Sequence, residues 1–519
     1  MRQSTDARRR SGTRPRHFVA TLVRRVALGS VSLLGMSGCS ISDLVNQSNL
    51  PPEFRDPTAL HTPEGAVAAY QSALLAFTAH LASKNPTSDS SMGSVTATNP
   101  SFIYVVGLLT DELSLVLNSS VAQNGFATSP EAAVDSRSAD DNDFSATALT
   151  RGFSYDAVFK GLQTIRSRAR DARGALTLYA PEMPSAFRGH LYAVEAYAEL
   201  LLAELYCSGI PLGGLEFGGG MTYTRGYTTG EILQHSMQLF DSAIVLVQDS
   251  ARIRHFVNMG RGRALLGLGQ YAEAAHTVAD VPDDYQYQLI YPASRINFFQ
   301  ASAFGSNRVP ANVGHREGIN GLPFWDDPRS DTVRTYGQST FNFIPRKFIL
   351  PGTTPTTVTV GGVTYPQWIN QGTTPIPIAT GIEARLIEAE AALKAGDANW
   401  LTILNRLRTS CTSVGTCPAP APAGAGGVAG LPPLTSPPQD SAKVSLLFRE
   451  RAYWLFLTGY RVGDLRRMVR QYGRLPESVF PIGPWGPGVI QFGSDVNAPV
   501  PFQEQQFNTR YRGCENRDA

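Results

Sequence analysis

The chain has 519 residues, of which 42% are hydrophobic and 17% charged, a composition that supports a large packed core and excludes global disorder. Its formal net charge of +2 is an effect of the N-terminus: residues 1–38 hold eight Arg and one Asp, so the remainder carries 37 basic against 42 acidic residues, a formal −5. A mildly acidic body excludes the basic footprint of a nucleic-acid-binding protein.

Residues 1–38 read as a targeting segment. Arg8, Arg9, Arg10, Arg14, Arg16, Arg24 and Arg25 make a basic n-region, Val26 to Met36 an apolar h-region, and the small residues Ser37 and Gly38 precede Cys39. Eleven apolar-biased residues are too few to span a bilayer core, which needs about 20. Met36-Ser37-Gly38-Cys39 resembles a bacterial lipobox, which implies lipidation of Cys39 as the first residue of the mature chain; each buried acyl CH₂ then contributes about 0.8 kcal/mol to membrane retention. An ordinary secretory signal is the alternative, and Arg24-Arg25 also admits a twin-arginine reading with poorly matching flanks.

Export implies an oxidising compartment for the cysteines at 207, 411, 417 and 514. Cys411 and Cys417 flank a short Thr-Ser-Val-Gly-Thr loop and are the favoured bridge; Cys207 and Cys514 are left for one another by elimination alone. No pair has CxxC spacing, which argues against a zinc or thioredoxin-like site, and no metal or cofactor is expected.

Residues 39–61 read as a polar, Pro-containing tether, and 62–519 as one α-rich domain. Thr62-Pro63-Glu64 has the order N-cap, Pro at the first helical position, acid in the first turn, and predicts a helix toward His80. Asp111–Leu117 and Tyr155–Asp171 are further helical candidates. Phe187, Leu191, Val194, Ala198, Leu201, Leu202 and Leu205 form one apolar stripe that stops at Cys207-Ser208-Gly209. Thr228-Thr229-Gly230-Glu231 predicts a capping box opening the next helix. Two helical hairpins follow, Phe256–Leu268 with Tyr271–Val278, and Ile382–Leu393 with Trp400–Arg408. In the first, the run from Gly262 to Ala275 resembles a tetratricopeptide repeat, and the hairpins together suggest a partial solenoid broken by insertions.

Residues 283–380 differ, being rich in Gly, Pro, Thr, Asn and aromatics with no sustained helical period. Alternation around Gly361-Gly362 predicts a β-hairpin over Thr357–Tyr365. Residues 418–440 read as a mobile Pro/Ala/Gly loop.

No nucleophile elbow, Walker loop, dinucleotide fingerprint or HExxH occurs, so the chain does not read as an enzyme. Asp326-Asp327-Pro328-Arg329 reads as a capped turn and not as a hydrolytic carboxylate pair. Binding chemistry is better represented. Sugar C–H faces pack on aromatic planes, and Trp325, Tyr336, Tyr365 and Trp368 lie in the loop-rich stretch beside polar partners. Trp400 and Trp454 sit in helical patterns and read as core; Trp485 belongs to a Pro/Gly-rich tail that wraps the domain.

The most informative stretch is 446–467. Leu447, Phe448, Ala452, Leu455 and Phe456 give the buried face of a helix, which Tyr453, Trp454 and Leu457 widen. Glu450, Arg451, Arg461 and Asp464 stand at its ends, and charges beside a buried helix must be paired. Glu450-Arg451, an apolar run, then Gly459-x-Arg461-x-x-Asp464-Leu465-Arg466-Arg467 resembles the C-terminal signature of the SusD/RagB family of nutrient-uptake lipoproteins. Trp454 and Thr458 stand where typical members carry Glu, and Val462 and Gly463 where they carry aromatics, so the chain resembles a divergent branch. The helix running into Gly209-Ile210-Pro211-Leu212, the elements Asp327-Pro328-Arg329 and Asn405-Arg406-Leu407-Arg408, and the tail from Val500 to Asn508 are similar to that family too.

The resemblance implies a mainly α, SusD-like fold of stacked helical hairpins, with a loop-rich face and at most short β-hairpins. It further implies a surface-exposed outer-membrane lipoprotein that binds an oligosaccharide or peptide nutrient and delivers it to a TonB-dependent SusC-like β-barrel transporter. On this reading Glu450, Arg451, Arg461 and Asp464 lock the helix, and ligand specificity falls to 283–380. A lipid-anchored tetratricopeptide scaffold binding other envelope proteins is the alternative, and a surface glycoside hydrolase ranks behind both.

Overall fold

The computed structural model describes residues 61–83, 101–110, 112–115, 130–138, 153–215, 220–291, 311–313, 322, 324, 327–329, 332–337, 340–345, 354, 356–367, 375–410, 431–485 and 490–518. The chain divides into a unit Met1–Arg55 and a unit Asp56–Ala519, and every described residue belongs to the second.

Helix α1 (Pro63–Ala82) opens at its predicted cap, with the Thr62 hydroxyl accepting from the Gly65 amide at 3.0 Å. The wholly buried α2 (Phe102–Leu109) follows. The helix expected over Asp111–Leu117 is absent: the segment forms strand β1 (Leu113–Leu115), paired antiparallel with β7 (Ala311–Val313). Leu-Ser-Leu alternates with period two, and Glu112, next to the buried Leu113, is itself buried, accepting from the Leu457 amide at 3.0 Å. A local reading could not see either long-range partner. Next come α3 (Pro130–Asp135) and α4 (Phe153–Tyr179), the latter longer than its predicted core. The buried stripe of α5 (Ser185–Leu205) leads into a short arm, in which β2 (Ile210–Pro211) pairs with β5 (Gly226–Tyr227) and β3 (Gly214–Leu215) with β4 (Met221–Thr222).

The capping box of Thr228 and Glu231 is present at the start of α6 (Thr229–Leu246). After it, α7 (Ala251–Gly267) and α8 (Tyr271–Val278) form one hairpin; α9 (Gly381–Lys394) and α10 (Asn399–Ser410) form another. Packing runs in sequence along the stack: α1 against α4, α4 against α5, α5 against α6, then α7, α8, α9 and α10 in turn. Four helical pairs thus build a solenoid whose first pair and last junction are each interrupted by long insertions. Between α8 and α9, β6 (Gln286–Leu289) pairs antiparallel with β12 (Ile376–Thr380). That two-strand stem closes the base of the insertion at 290–375, and α9 starts on the residue after it.

The single helix expected across 446–467 is two. Helix α11 (Asp440–Trp454) ends in a turn, and α12 (Arg461–Tyr472) begins after it. Leu457 and Gly459 have φ of +52° and +82°, a left-handed conformation that no continuous helix accommodates. Apolar content kept the pattern looking unbroken through Leu455, Phe456 and Leu457, all of which are buried in the turn itself.

The core has two parts. One is centred on α1, α2 and α4–α8; the other gathers Ile382, Leu386, Trp400, Leu404, Leu447, Phe448, Trp454 and Leu465 from α9–α12. The tail carries β13 (Pro484–Trp485), paired with β14 (Ile490–Gln491), and α13 (Phe502–Phe507). It is fastened to the end of α5: Cys207 forms a disulfide with Cys514, the Cys207 amide donates to Ala498 O at 2.9 Å, and the Ser208 amide to Asn516 O at 3.0 Å. Buried Trp485 donates its indole N–H to Asp135 at 2.9 Å. Cys411, Cys417 and residues 418–430 of the expected loop lie outside the described residues.

Candidate functional site

Two hairpins stand on the insertion. In one, β10 (Thr356–Val360) pairs with β11 (Val363–Gln367) across Gly361-Gly362, whose φ values of +58° and +80° give the turn that matches strand twist. In the other, β8 (Thr332–Gly337) pairs with β9 (Thr340–Pro345). The second was missed in the sequence, although Thr-Val-Arg-Thr-Tyr and Phe-Asn-Phe-Ile alternate around Gly337. Strand β8 packs against β11, so Tyr336, opposite Phe341, and Tyr365, opposite Val358, stand on adjoining hairpins. Trp325 and Trp368 lie outside the described residues.

Asp327-Pro328-Arg329 ties the insertion to the helices. Both Asp327 oxygens accept from the Arg329 guanidinium at 2.8 Å, and Arg329 also pairs with Glu450. Its guanidinium lies over the rings of Tyr453 and Trp454, at 4.6 and 5.4 Å. The Asp327 carboxylate is therefore committed to the neighbouring Arg.

The charges of 446–467 form a buried network. Glu450, fully buried, holds Arg329 and also Arg408 at 3.0 Å. Arg451 meets Asp464 through two 2.8 Å bonds, a bidentate geometry that holds the Asp464 carboxyl well below the usual range despite burial. Arg467 bridges Asp464 at 2.8 Å to Glu390, which also accepts from Tyr472 at 2.8 Å. Arg461 is buried at the start of α12. Arg466, part of the family-like signature but not among the residues expected to lock the helix, donates to the carbonyls of Ala203, Glu204 and Tyr206 at 3.0, 2.7 and 3.0 Å, a cation placed on the C-terminus of α5. Such a network fixes four helices, α9 to α12, and the insertion together and exposes little to a ligand.

A concave site elsewhere had no counterpart in the sequence reading. A cleft of about 510 Å³ opens between α4, α5, α6 and the arm after α5. Arg166, Arg170 and Arg173 line it at helical spacing along α4, and His235 and Gln238 face them from α6. Arg166 donates to buried Glu199 at 2.9 Å, and His235 Nδ1 lies 2.5 Å from the other Glu199 oxygen. That hydrogen bond pushes the His235 pKa up, while burial opposes it. The i, i+4, i+7 arginines were the available signal; their convergence with α6 required the fold.

No protein-family model matches the sequence, and no curated protein is significantly similar to it. Solved structures are. A SusD superfamily protein from Parabacteroides distasonis superposes with a TM-score of 0.57 at 14% identity, covering 87% of this chain and 98% of its own. A proposed sugar binding protein from Bacteroides vulgatus gives 0.53 at 13%, covering 88% and 99%. A SusD homolog from Bacteroides thetaiotaomicron gives 0.52 at 11%, covering 89% and 99%. The chain has the SusD fold. Its family-like segments hold that fold together in this chain: Arg408 binds Glu450, Asn405 both accepts from and donates to the Leu434 backbone, at 2.7 and 3.2 Å, and Ile210-Pro211 begins the arm beside the cleft.

Proposed function

We propose that this chain is a divergent SusD/RagB lipoprotein of the outer membrane that binds an oligosaccharide nutrient and passes it to a TonB-dependent SusC-like β-barrel transporter. The SusD fold carries the reading, because it extends over 87–89% of the chain and nearly the whole of the similar structures, one of them a proposed sugar binding protein. The insertion supplies the chemistry: Tyr336 and Tyr365 on adjoining hairpins, with Trp325 and Trp368 nearby in sequence, offer aromatic planes for sugar faces. Capture and release need no covalent step; transfer follows if the transporter-bound state has a different ligand affinity. Acylation at Cys39 places the protein on the membrane.

Titration calorimetry against a glycan panel, with Trp325→Ala and Trp368→Ala, tests the site. Each variant loses about tenfold or more in affinity for the bound glycan, and unchanged affinity in both removes the insertion from the binding role. Affinity purification from solubilised outer membrane retains a β-barrel transporter; recovery of a different envelope protein in its place would favour the scaffold reading. Cys39→Ser abolishes incorporation of labelled palmitate and releases the chain from the membrane fraction.

A further inference from the structure

We propose that the tail helix α13 and the arm after α5 form a docking surface for a lipid bilayer with phosphate-bearing headgroups. This contact presupposes the acylation at Cys39 proposed above, and is separate from it and non-covalent.

Four large apolar side chains stay uncovered on these two elements. Phe502 and Phe507, at the two ends of α13, are 70% and 67% exposed. Met221 in β4 and Tyr223 just after it are 58% and 46% exposed. Hydrogen bonds hold the elements side by side. Asn508 Nδ2 donates to Thr224 O at 2.9 Å and Arg510 Nη1 to Tyr223 O at 3.2 Å, which brings the end of α13 against the arm. The Cys207–Cys514 bridge and the bond from the Ser208 amide to Asn516 O tie the same segment down. Single exposed apolar residues are ordinary on any surface; four on two adjoining short elements mark an interaction site.

The chemistry around them points to lipid. Arg510 and Arg512 are exposed; the Arg510 guanidinium donates to a backbone carbonyl, and neither meets a carboxylate among the described residues. The acids nearby are engaged, Glu504 being half-buried and bonded to Asn508, while Glu515 sits near Arg225. Phenylalanine offers no hydrogen bond to sugar hydroxyls, and a short protruding helix offers no groove to a peptide. Aromatic side chains at acyl-chain depth, with arginines reaching phosphates above them, are the arrangement of an interfacial segment.

The tether permits the contact. His61 stacks on Tyr179 at the C-terminal end of α4, with ring centroids 4.9 Å apart, whereas Gln503 of α13 bonds Asp156 near its N-terminal end. Those two points are about 35 Å apart along the helix. Residues 39–61, fully extended, reach about 75 Å.

The test reconstitutes the acylated protein into vesicles of phosphatidylethanolamine and phosphatidylglycerol carrying brominated acyl chains, which quench a tryptophan that enters them. Phe507→Trp reports on the patch. Val245→Trp, 71% exposed at the end of α6 that bonds Ser185, reports on the end of the domain nearer the tether. The emission that Phe507→Trp adds to wild type falls by about half against unbrominated vesicles, and that of Val245→Trp is unchanged. Arg510→Glu with Arg512→Glu, in the Phe507→Trp background, restores the lost emission at an unchanged thermal midpoint. Met221→Trp gives the same readout if Phe507→Trp does not fold. Equal quenching at Val245→Trp and the patch, or none at the patch, in protein that floats with the vesicles overturns this proposal and spares acylation. Protein that does not float overturns both. Shielding of Phe507→Trp from solvent only when a β-barrel transporter is added assigns the patch to a protein and also overturns the proposal.

Discussion

Tyr460 has one hydroxyl hydrogen and two acceptors within reach, the Ile378 carbonyl at 2.5 Å and the Glu383 carboxyl. A proton on Glu383 resolves the conflict: the acid donates to the tyrosine oxygen, and the tyrosine to the carbonyl. Burial pushes Glu383 up to about 8, with nearby Arg263 opposing, in agreement with that arrangement. The folded chain therefore keeps a proton that the unfolded chain releases near pH 4.5, and the associated stability, complete below that pH, is lost as pH rises toward 8. Glu383→Gln should thus gain in thermal midpoint relative to wild type between pH 5 and pH 9; a constant difference across that range would falsify the protonated state. Glu390 is a buried acceptor for Arg467 and Tyr472, with Arg451 at 3.7 Å. Removing it leaves Arg451 and Arg467 to share the Asp464 carboxylate alone, one buried positive charge in excess, so Glu390→Ala should cost about 3–5 kcal/mol in urea unfolding. That charges in 446–467 need partners was legible from the sequence, because burial alone demands it. Which partners was not: Glu390, Arg408 and Arg329 come from other elements, and no local spacing encodes them.

Elements with local causes could be read in advance. The cap at Thr62, the box at Thr228–Glu231 and the turn at Gly361-Gly362 depend on residues a few positions apart, and each is where its sequence puts it. Strand β1 and the break between α11 and α12 depend on distant contacts, and both were misread. The break matters for the insertion: it lets α11 and α12 fold back so that Arg451 and Asp464 meet, while Glu450 on α11 remains available to Arg329. Arg329→Ala should consequently loosen residues 290–375 more than the helices. Limited proteolysis would show faster cleavage inside the insertion with the helical circular dichroism signal unchanged; simultaneous loss of both signals would mean that the pair supports the whole core.

At the scale of the molecule, the helical stack was visible as hairpins in the sequence, but its continuity was not. Helix α8 packs on α9 although about a hundred residues separate them, and α1 packs on α4 although α2, β1 and α3 come between them in the chain. The ligand candidates divided the same way: aromatic enrichment pointed to the insertion, whereas the polar cleft exists only once α4 and α6 face each other across α5. The tail closes the structure through Cys207 and Cys514, which are 307 residues apart. On chain-entropy grounds a link that long contributes on the order of 5 kcal/mol. The double variant Cys207→Ser with Cys514→Ser should unfold at a markedly lower denaturant concentration than wild type under non-reducing conditions, and the two should converge in reductant.

The same bridge keeps time. A ribosome finishes Cys207 early and must add 307 more positions before its partner exists. Every incomplete chain therefore carries an open thiol at the end of α5, and every properly closed one has been made through to residue 514. The bond is a covalent receipt of completion, readable on a gel by thiol labelling before any fold is assayed.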